Sequence, residues 1–471
     1  LHGVHPLPRR YFDRAAAEGD ATGAYGAVGL DAEYGGVVTR EVAHPLRPAG
    51  RRVAIIGAGP AGLFAAERLA TAGVAVDVYE QMASPARKLL MAGRGGLNLT
   101  HSEPIDRFLS RYSERVEPLA ASLHSFPPEA LIGWAEGLGQ ETFIGSSGRV
   151  FPKAMKASPL LRSWLRRLDA LGVRLHLRHR LTGFDAAGRP VIERLSDGLK
   201  GAAKADAVLL ACGGASWPRL GSDGAWVALL ERLGVAVTPL TAANCGVRIA
   251  WSKPLIERFA GAPLKRLVID IAGERYAGEV VVTRAGLEGG PIYAAGPLLR
   301  RLLATSAPGG VPITLDLRPD LEANDLADRL GRPRGKQSTS NWLRKAANLP
   351  PLAIALLREA TRGGALPSDA SDLAALMKHV PLTVTGLAGL ERAISTAGGV
   401  ALDGLDDYFM VCARPGLFVA GEMLDWEAPT GGYLLQGTFA TAARAADGIL
   451  RWLAAEPDGA DVPAGDAGVA D

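Results

Sequence analysis

Cysteine is scarce in this chain: Cys212, Cys245 and Cys412 stand far apart in 471 residues. An odd count without a C-x-x-C pair excludes a disulfide scaffold, a cysteine zinc site and an internal dithiol relay. Aromatic residues are also few, at 6%, and the formal net charge is only +3. That combination leaves no electrostatic footprint for a nucleic acid or an anionic membrane surface. No uninterrupted apolar run approaches the ~20 residues of a membrane span. The N-terminal segment lacks the basic-then-apolar profile of a secretion signal. The 58 Gly and 31 Pro follow no period, which excludes collagen-like structure. The expectation is a soluble, cytoplasmic protein with a small-molecule substrate, no nucleic-acid partner and no membrane partner. With 48% hydrophobic residues, the chain can bury a large core, in two or three domains of about 150 residues each.

What the chain does have is a glycine-rich segment at each end. Val53-Ala54-Ile55-Ile56 is a short apolar run suited to a central parallel strand, followed by Gly57-Ala58-Gly59-Pro60-Ala61-Gly62. In such a Gly-x-Gly-x-x-Gly turn the glycines have separate duties. Gly57 permits the tight turn, Gly59 leaves room for a pyrophosphate, and Gly62 lets helix and strand pack closely. A helix from Leu63 to Ala72 and a second strand from Val74 to Tyr79 complete a βαβ unit, with Glu80 at the strand tip. The helix N-terminus offers free N–H groups to phosphates, and Glu80 is placed to accept from ribose hydroxyls. Pro60 and Ala61 belong to the same cradle.

Toward the other end, Leu417-Phe418-Val419-Ala420 is an apolar strand ending in Gly421 and Glu422. Thr430-Gly431-Gly432-Tyr433 then precedes a terminal helix expected from about Leu435 to Leu453. Its N-terminal N–H groups suit the edge of a cofactor that gains negative charge on reduction. No second Gly-x-Gly-x-x-Gly lies between 100 and 410, so a dedicated NAD(P)H domain is not expected. Between the glycine segments, an amphipathic helix is expected over 159–171 and a strand over 173–177. A buried strand runs into Ala211-Cys212-Gly213-Gly214. Short Val-, Ile- and Leu-rich segments at 245–251, 266–272, 279–283 and 311–317 predict a β-rich region. Helices are expected at 321–330, 341–347, 352–360 and 371–377. Residues 88–100 read as a glycine loop approaching a ligand, with Lys88, Arg94, Gly95 and Asn98 as candidate contacts. His101 and Tyr433 are candidates for proton transfer because they flank that loop and the terminal helix; for each, a packing or loop role competes.

Taken together these motifs resemble the HI0933-like (YhiN-like) flavoproteins, over about Arg52 to Trp452. The resemblance rests on Gly57-Ala58-Gly59-Pro60-Ala61-Gly62, Lys88-Leu89-Leu90, Asn98-Leu99-Thr100, Phe151-Pro152, Ala211-Cys212-Gly213-Gly214, Thr396-Ala397-Gly398-Gly399-Val400, Gly421-Glu422 and Thr430-Gly431-Gly432-Tyr433. It implies an α/β fold: a glutathione-reductase-type Rossmann FAD-binding domain interrupted by a β-rich domain and a small helical domain. The implied division is an N-terminal extension (1–50), a discontinuous FAD-binding domain (51–240 and 400–455), a β-rich substrate domain (241–319 and 379–399), a helical insertion (320–378) and a flexible tail (456–471). It also implies FAD as cofactor, with Glu422 near the ribityl chain and Ala211 and Gly213 passing beside the cofactor. NAD(P)H is a candidate diffusible co-substrate.

The chain departs from the family pattern at two places. Where Gly-Gly-Gly-Arg-Cys-Asn is common, this chain has Gly93-Arg94-Gly95-Gly96-Leu97-Asn98, so the Cys is Leu97 and the Arg is Gly96. The usual Tyr-Asn-Leu-Gln is Tyr433-Leu434-Leu435-Gln436. Both suggest a separate, proteobacterial-type subfamily. The leading expectation is an FAD-dependent oxidoreductase acting on a small organic substrate by hydride transfer at flavin N5, such as an enone reductase or an amine oxidase. One alternative is a flavoprotein of RNA modification, drawn from the arginines at 162, 166, 167, 174, 178 and 180, which alternate with Leu as solvated faces do. The other is a flavin-binding redox sensor without turnover.

Overall fold

The computed structural model describes residues 50–306 and 308–455. The extension expected over 1–50, save Gly50, and the tail expected over 456–471 lie outside the described residues.

The apolar run at the first glycine turn becomes β1 (Arg52–Ile56), the centre of a five-stranded parallel sheet. The other strands are β2 (Ala75–Glu80), β3 (Arg174–Leu177), β4 (Ala207–Leu210) and β5 (Leu417–Val419), in the order β5-β4-β1-β2-β3. The register places Val53 beside Val76 and Ala207, and Leu209 beside Phe418. Strands covered on both faces need apolar residues throughout, and β4 and β5 are buried at every position. One charge is set into this sheet. Asp77 is buried on β2, where Arg52 (2.7 Å), Arg174 (2.6 Å) and His176 (2.7 Å) surround it. Burying a carboxylate is tolerable with such partners and costly without them.

Two helices cover the sheet. In α1 (Pro60–Thr71), Pro at the first turn needs no N–H partner, so it begins the helix without loss. The terminal helix (Tyr433–Ala455) is two residues longer at each end than the sequence predicted, and buries small residues against α1. Around them Phe64, Phe126, Trp134 and Phe439 pack with ring centroids 4.9–5.7 Å apart. Trp164, on α2 (Ala157–Ala170), closes the cluster.

A second core belongs to a seven-stranded antiparallel sheet. Its strands run in the order Val380–Val384, Val311–Asp316, Pro263–Ile271, Glu274–Val282, Gly286–Glu288, Val247–Arg248 and Gly386–Leu387. The long pair Pro263–Ile271 and Glu274–Val282 replaces the shorter strands expected there, while the strand expected over 245–251 pairs only at Val247 and Arg248. Beside the sheet lie α3 (Lys253–Phe259), α4 (Ala323–Leu330), α5 (Thr339–Ala346), α6 (Pro351–Ala360) and α7 (Ala370–Lys378). The sequence reading assigned no helix to 290–305, where Gly290–Ala294 and Gly296–Thr305 form two, each with Pro in its first turn. The chain passes between the two cores along an antiparallel pair, Val237–Ala243 and Ser395–Val400. No helix among the described residues is long and apolar enough to cross a membrane.

Phe439 is 1% exposed at the centre of the aromatic cluster. Phe439→Ala is expected to lower unfolding free energy by about 3–5 kcal/mol, as truncation of a buried aromatic does. Urea unfolding followed by tryptophan fluorescence checks it; a change below 1 kcal/mol would contradict this packing.

Candidate functional site

The C-terminal ends of β1, β2, β4 and β5 open into one cavity of about 660 Å³. This is where open parallel sheets bind ligands, outside the carboxyl edge. Three glycines shape the strand-to-helix turn beside the cavity. Gly57 has φ +105°, and a methyl there would overlap the Ala211 carbonyl; one at Gly62 would overlap the Gly57 carbonyl. Gly59 differs: a methyl there would meet no protein atom, because Gly59 faces the cavity just where α1 presents its unpaired N–H groups. A cradle that a side chain would fill, beneath a helix N-terminus, suits a pyrophosphate.

Polar atoms without partners are distributed around the same wall. Among cavity-lining residues, Arg87 Nε, Asn98 Oδ1 and Ser222 Oγ are buried and unpaired. Such groups cost free energy unless a ligand completes them. Glu80 is already used: its carboxylate accepts from the Ala58 N–H (2.9 Å) and the Met82 N–H (2.8 Å). Burial pushes its pKa up, and the two backbone N–H bonds oppose that shift. Each oxygen keeps a second lone pair, so Glu80 can hold the turn and still accept from a ribose hydroxyl. Deeper in the wall, the Lys88 ammonium donates to both Glu422 oxygens (2.8 and 2.7 Å) and to Ser216 Oγ (2.6 Å). Glu422 also accepts from the Thr396 N–H at 3.1 Å. Two residues predicted as separate cofactor contacts are thus partners. The pyrophosphate cradle, the acid at the ribose position and the long cavity ending at Gly431 and Gly432 fit an extended dinucleotide.

A family model described as the HI0933-like protein Rossmann domain matches residues 51–448. The chain belongs to the HI0933-like family. It is similar to a 3-dehydro-bile acid delta(4,6)-reductase from Clostridium scindens, at 27% identity over 419 residues covering 84% of this chain and 98% of that protein. It is also similar to a ribosomal RNA dihydrouridine synthase from Escherichia coli, at 24% identity over 416 residues covering 84% and 97%. Among solved structures, a 3-ketosteroid-delta4-(5alpha)-dehydrogenase from Rhodococcus jostii matches with TM-score 0.46 at 16% identity, covering 88% of this chain and 99% of that one. This HI0933-like protein is an FAD-dependent oxidoreductase.

The cavity wall of the HI0933-like protein contains Gly57, Gly59, Pro60, Ala61, Glu80, Lys88, Asn98, Ala211, Gly213, Glu422, Gly431 and Gly432. Gly62 and Gly421 stand behind the wall as packing residues; a methyl on Gly421 would press on Ala61. Four expectations are corrected. Arg94 and Gly95 are exposed on a 3-10 turn outside the wall, which Met91 and Ala92 line before it and Gly96, Leu97 and Asn98 after it. His101 lies outside the wall as well: its Nε2 is 2.9 Å from the Ser147 carbonyl, and its Nδ1 accepts from the Glu103 N–H at 3.1 Å. The Tyr433 hydroxyl points away from the cavity and donates to Glu103 (2.6 Å), with its ring stacked on His101 at 5.4 Å. Burial and that bond push the Tyr433 pKa well up. Neither side chain is placed to move a proton in the cavity.

The sequence reading also missed cavity residues. His179, Arg180 and Leu181 line the cavity, as do Ile394 and Ser395; the first three and Ser395 are brought in by strands of separate sheets. Trp226, whose indole donates to the Gly213 carbonyl at 2.8 Å, carried no local signal.

Gly57→Ala should abolish folding, whereas Gly59→Ala should fold with an unchanged melting temperature and retain at least ~10-fold less FAD, since only ligand approach is blocked. Flavin content after desalting, with circular dichroism of both variants, checks this; equal FAD retention in Gly59→Ala would refute the cradle. Glu103 gives a pH prediction. Its bond to Arg111, together with Tyr433 and nearby charges, outweighs desolvation and holds its pKa at about 2. A depressed carboxyl pKa contributes stability above its unfolded value and loses it as pH falls toward the folded value. The wild type should therefore lose more melting temperature than Glu103→Gln between about pH 4.5 and pH 2. Parallel slopes for the two proteins would contradict the assignment.

Proposed function

We propose that this HI0933-like enzyme saturates a carbon–carbon double bond conjugated with a carbonyl group, taking electrons from diffusible NADH or NADPH. Both relatives' named reactions share that chemistry: the delta(4,6) bonds of a 3-dehydro-bile acid are conjugated with a ketone, and uridine becomes dihydrouridine at the double bond beside its carbonyl. The observation that carries the reading is the mainly apolar wall of the cavity, which includes Leu97, Ile394, Trp426 and Leu434 beside Gly431 and Gly432. Such a wall suits an apolar ring system, and the terminal helix, beginning at Tyr433 directly after the lining residue Gly432, brings the partial positive charge of its N-terminus to it.

FAD bound here supplies hydride-level chemistry at its N5. The chain's own residues do the rest. Gly59 and the start of α1 hold the diphosphate, and Glu80 accepts from the ribose. Lys88 and Glu422 fix the middle of the cavity through their ion pair. Asn98 Oδ1 offers an acceptor, and the helix beginning at Tyr433 stabilises developing negative charge. Leu97, buried at 1% exposure, stands where relatives of the resembling pattern carry Cys, so a thiol cannot deliver the proton to the product from that position.

The redox-sensor alternative needs a reactive thiol at the cavity. Cys212 lines the wall, but burial pushes its pKa to about 12; a thiol so shifted is neutral at physiological pH and inert. The proposal also keeps the domain division at 51–240 with 400–455, 241–319 with 379–399, and 320–378, supported by the two separate apolar cores. It keeps a cytoplasmic location as well.

Anaerobic titration of the FAD-loaded protein with NADH and NADPH tests the reading. The flavin absorbance should bleach with one of them, and a conjugated enone or a uracil compound should restore it while an isolated alkene does not. Resistance to both nucleotides, with bleaching by an amine instead, would make the protein an oxidase and end this proposal.

A further inference from the structure

A second concavity, of about 1050 Å³, lies between α3, α5 and α6, and shares no wall residue with the flavin cavity. Four exposed guanidinium groups line it: Arg258, Arg344, Arg358 and Arg362. None has a carboxylate within ion-pair distance among the described residues. Arg358 donates only to Ser340 Oγ (3.1 Å), Arg344 only to Asn341 Oδ1 (3.4 Å), and Arg258 lies over the Phe259 ring at 5.2 Å. The acid on the wall, Glu359, is occupied by the start of α3, accepting from the Ser252 N–H and hydroxyl at 2.6 Å each.

The charge extends beyond the groove. Between positions 329 and 358 the chain has seven basic residues and no acidic one. Since the whole chain totals +3, the positive charge is concentrated in this stretch, while Asp320, Glu322, Asp325, Asp328, Glu359, Asp369 and Asp372 on either side of it bring the insertion 320–378 to a net +2. Like charges held together repel one another, and none of the seven has an ion-pair partner among the described residues. A single small anion would satisfy the groove but not the run of charge leading into it. A polymer with a repeating charge satisfies both. A bilayer is a poorer match, because none of the large exposed apolar side chains lies between 320 and 378.

We propose that the arginine groove between α3 and the helical insertion binds the phosphodiester backbone of a single-stranded nucleic acid. Arginine forks suit phosphate oxygens, and such contacts position a strand without reading its sequence. The site is separate from the flavin cavity, and binding is read without turnover, so it stands or falls independently of the reaction proposed above. The small net charge of the chain, which led the sequence reading away from nucleic acid, averages over this concentration.

Fluorescence anisotropy of a labelled single-stranded oligouridylate with the full FAD-loaded chain, across a salt series, tests the inference. Four phosphate contacts predict a log–log salt slope of about −3. The variant R258Q/R344Q/R362Q should lose at least ~10-fold in affinity and about 2 from the slope, with flavin content and melting temperature unchanged. The charge-keeping variant R258K/R344K/R362K should retain most of the binding. No wild-type binding at low salt, or equal binding by the glutamine variant, would overturn the proposal. So would saturation by inorganic pyrophosphate, or by phosphatidylserine vesicles, without oligonucleotide binding.

Discussion

One crowded crossing sets the geometry of the molecule. Where β1 turns into α1, the Gly57 carbonyl lies against Gly62 and the Gly57 α-carbon against the Ala211 carbonyl, with no space for a side chain at either place. The Gly57 N–H is bonded to the Tyr79 carbonyl at 2.8 Å, and the Ala211 N–H to the Ile56 carbonyl at 2.8 Å. Three strands are thus joined at one point, and that point aims the helix dipole into the cavity. The positions of Glu80 at the end of β2 and Cys212 beyond β4 follow from it.

The Lys88–Glu422 pair extends this order across the cavity. Neither side chain is fully buried, at 25% and 18% exposure, so the pair's contribution to stability is modest. Its value is positional: it ties the segment after β2 to the segment after β5, and through Thr396 to the strand returning from the second core. Glu422 thereby connects the cofactor cavity to the only antiparallel pair between the two cores among the described residues.

The parts of this protein legible in its sequence are those whose physics is local. A β-branched strand running into Gly57-x-Gly59-x-x-Gly62 specifies its own turn, and the apolar spacing of 321–377 specifies four helices to within a few residues. What stayed hidden depends on tertiary context. Arg94 looked like a ligand because it stood among glycines, but the direction of that loop is set by the Leu97 N–H bonding to the Met155 carbonyl. Tyr433 looked like an acid beside a flavin because it begins the terminal helix; its hydroxyl is taken by Glu103, which no periodicity connects to it. The helices at 290–305 went unassigned; each carries a proline in its first turn, where proline starts a helix as readily as it ends one elsewhere.

The position of β5 in the sheet has a consequence for biogenesis. β4 pairs with β1 and β5, yet the whole antiparallel sheet and its helices are synthesised between β4 and β5. A chain emerging from the ribosome folds its N-terminal parts first, but here the parallel sheet lacks an edge strand, and the cavity lacks Glu422 and the helix from Tyr433, until the whole second core has been synthesised. Closing so long a loop is slow compared with forming local contacts. Cofactor capture is therefore a late event in the life of each chain. A molecule truncated anywhere in its second core would carry the nucleotide turn without the means to close over a flavin.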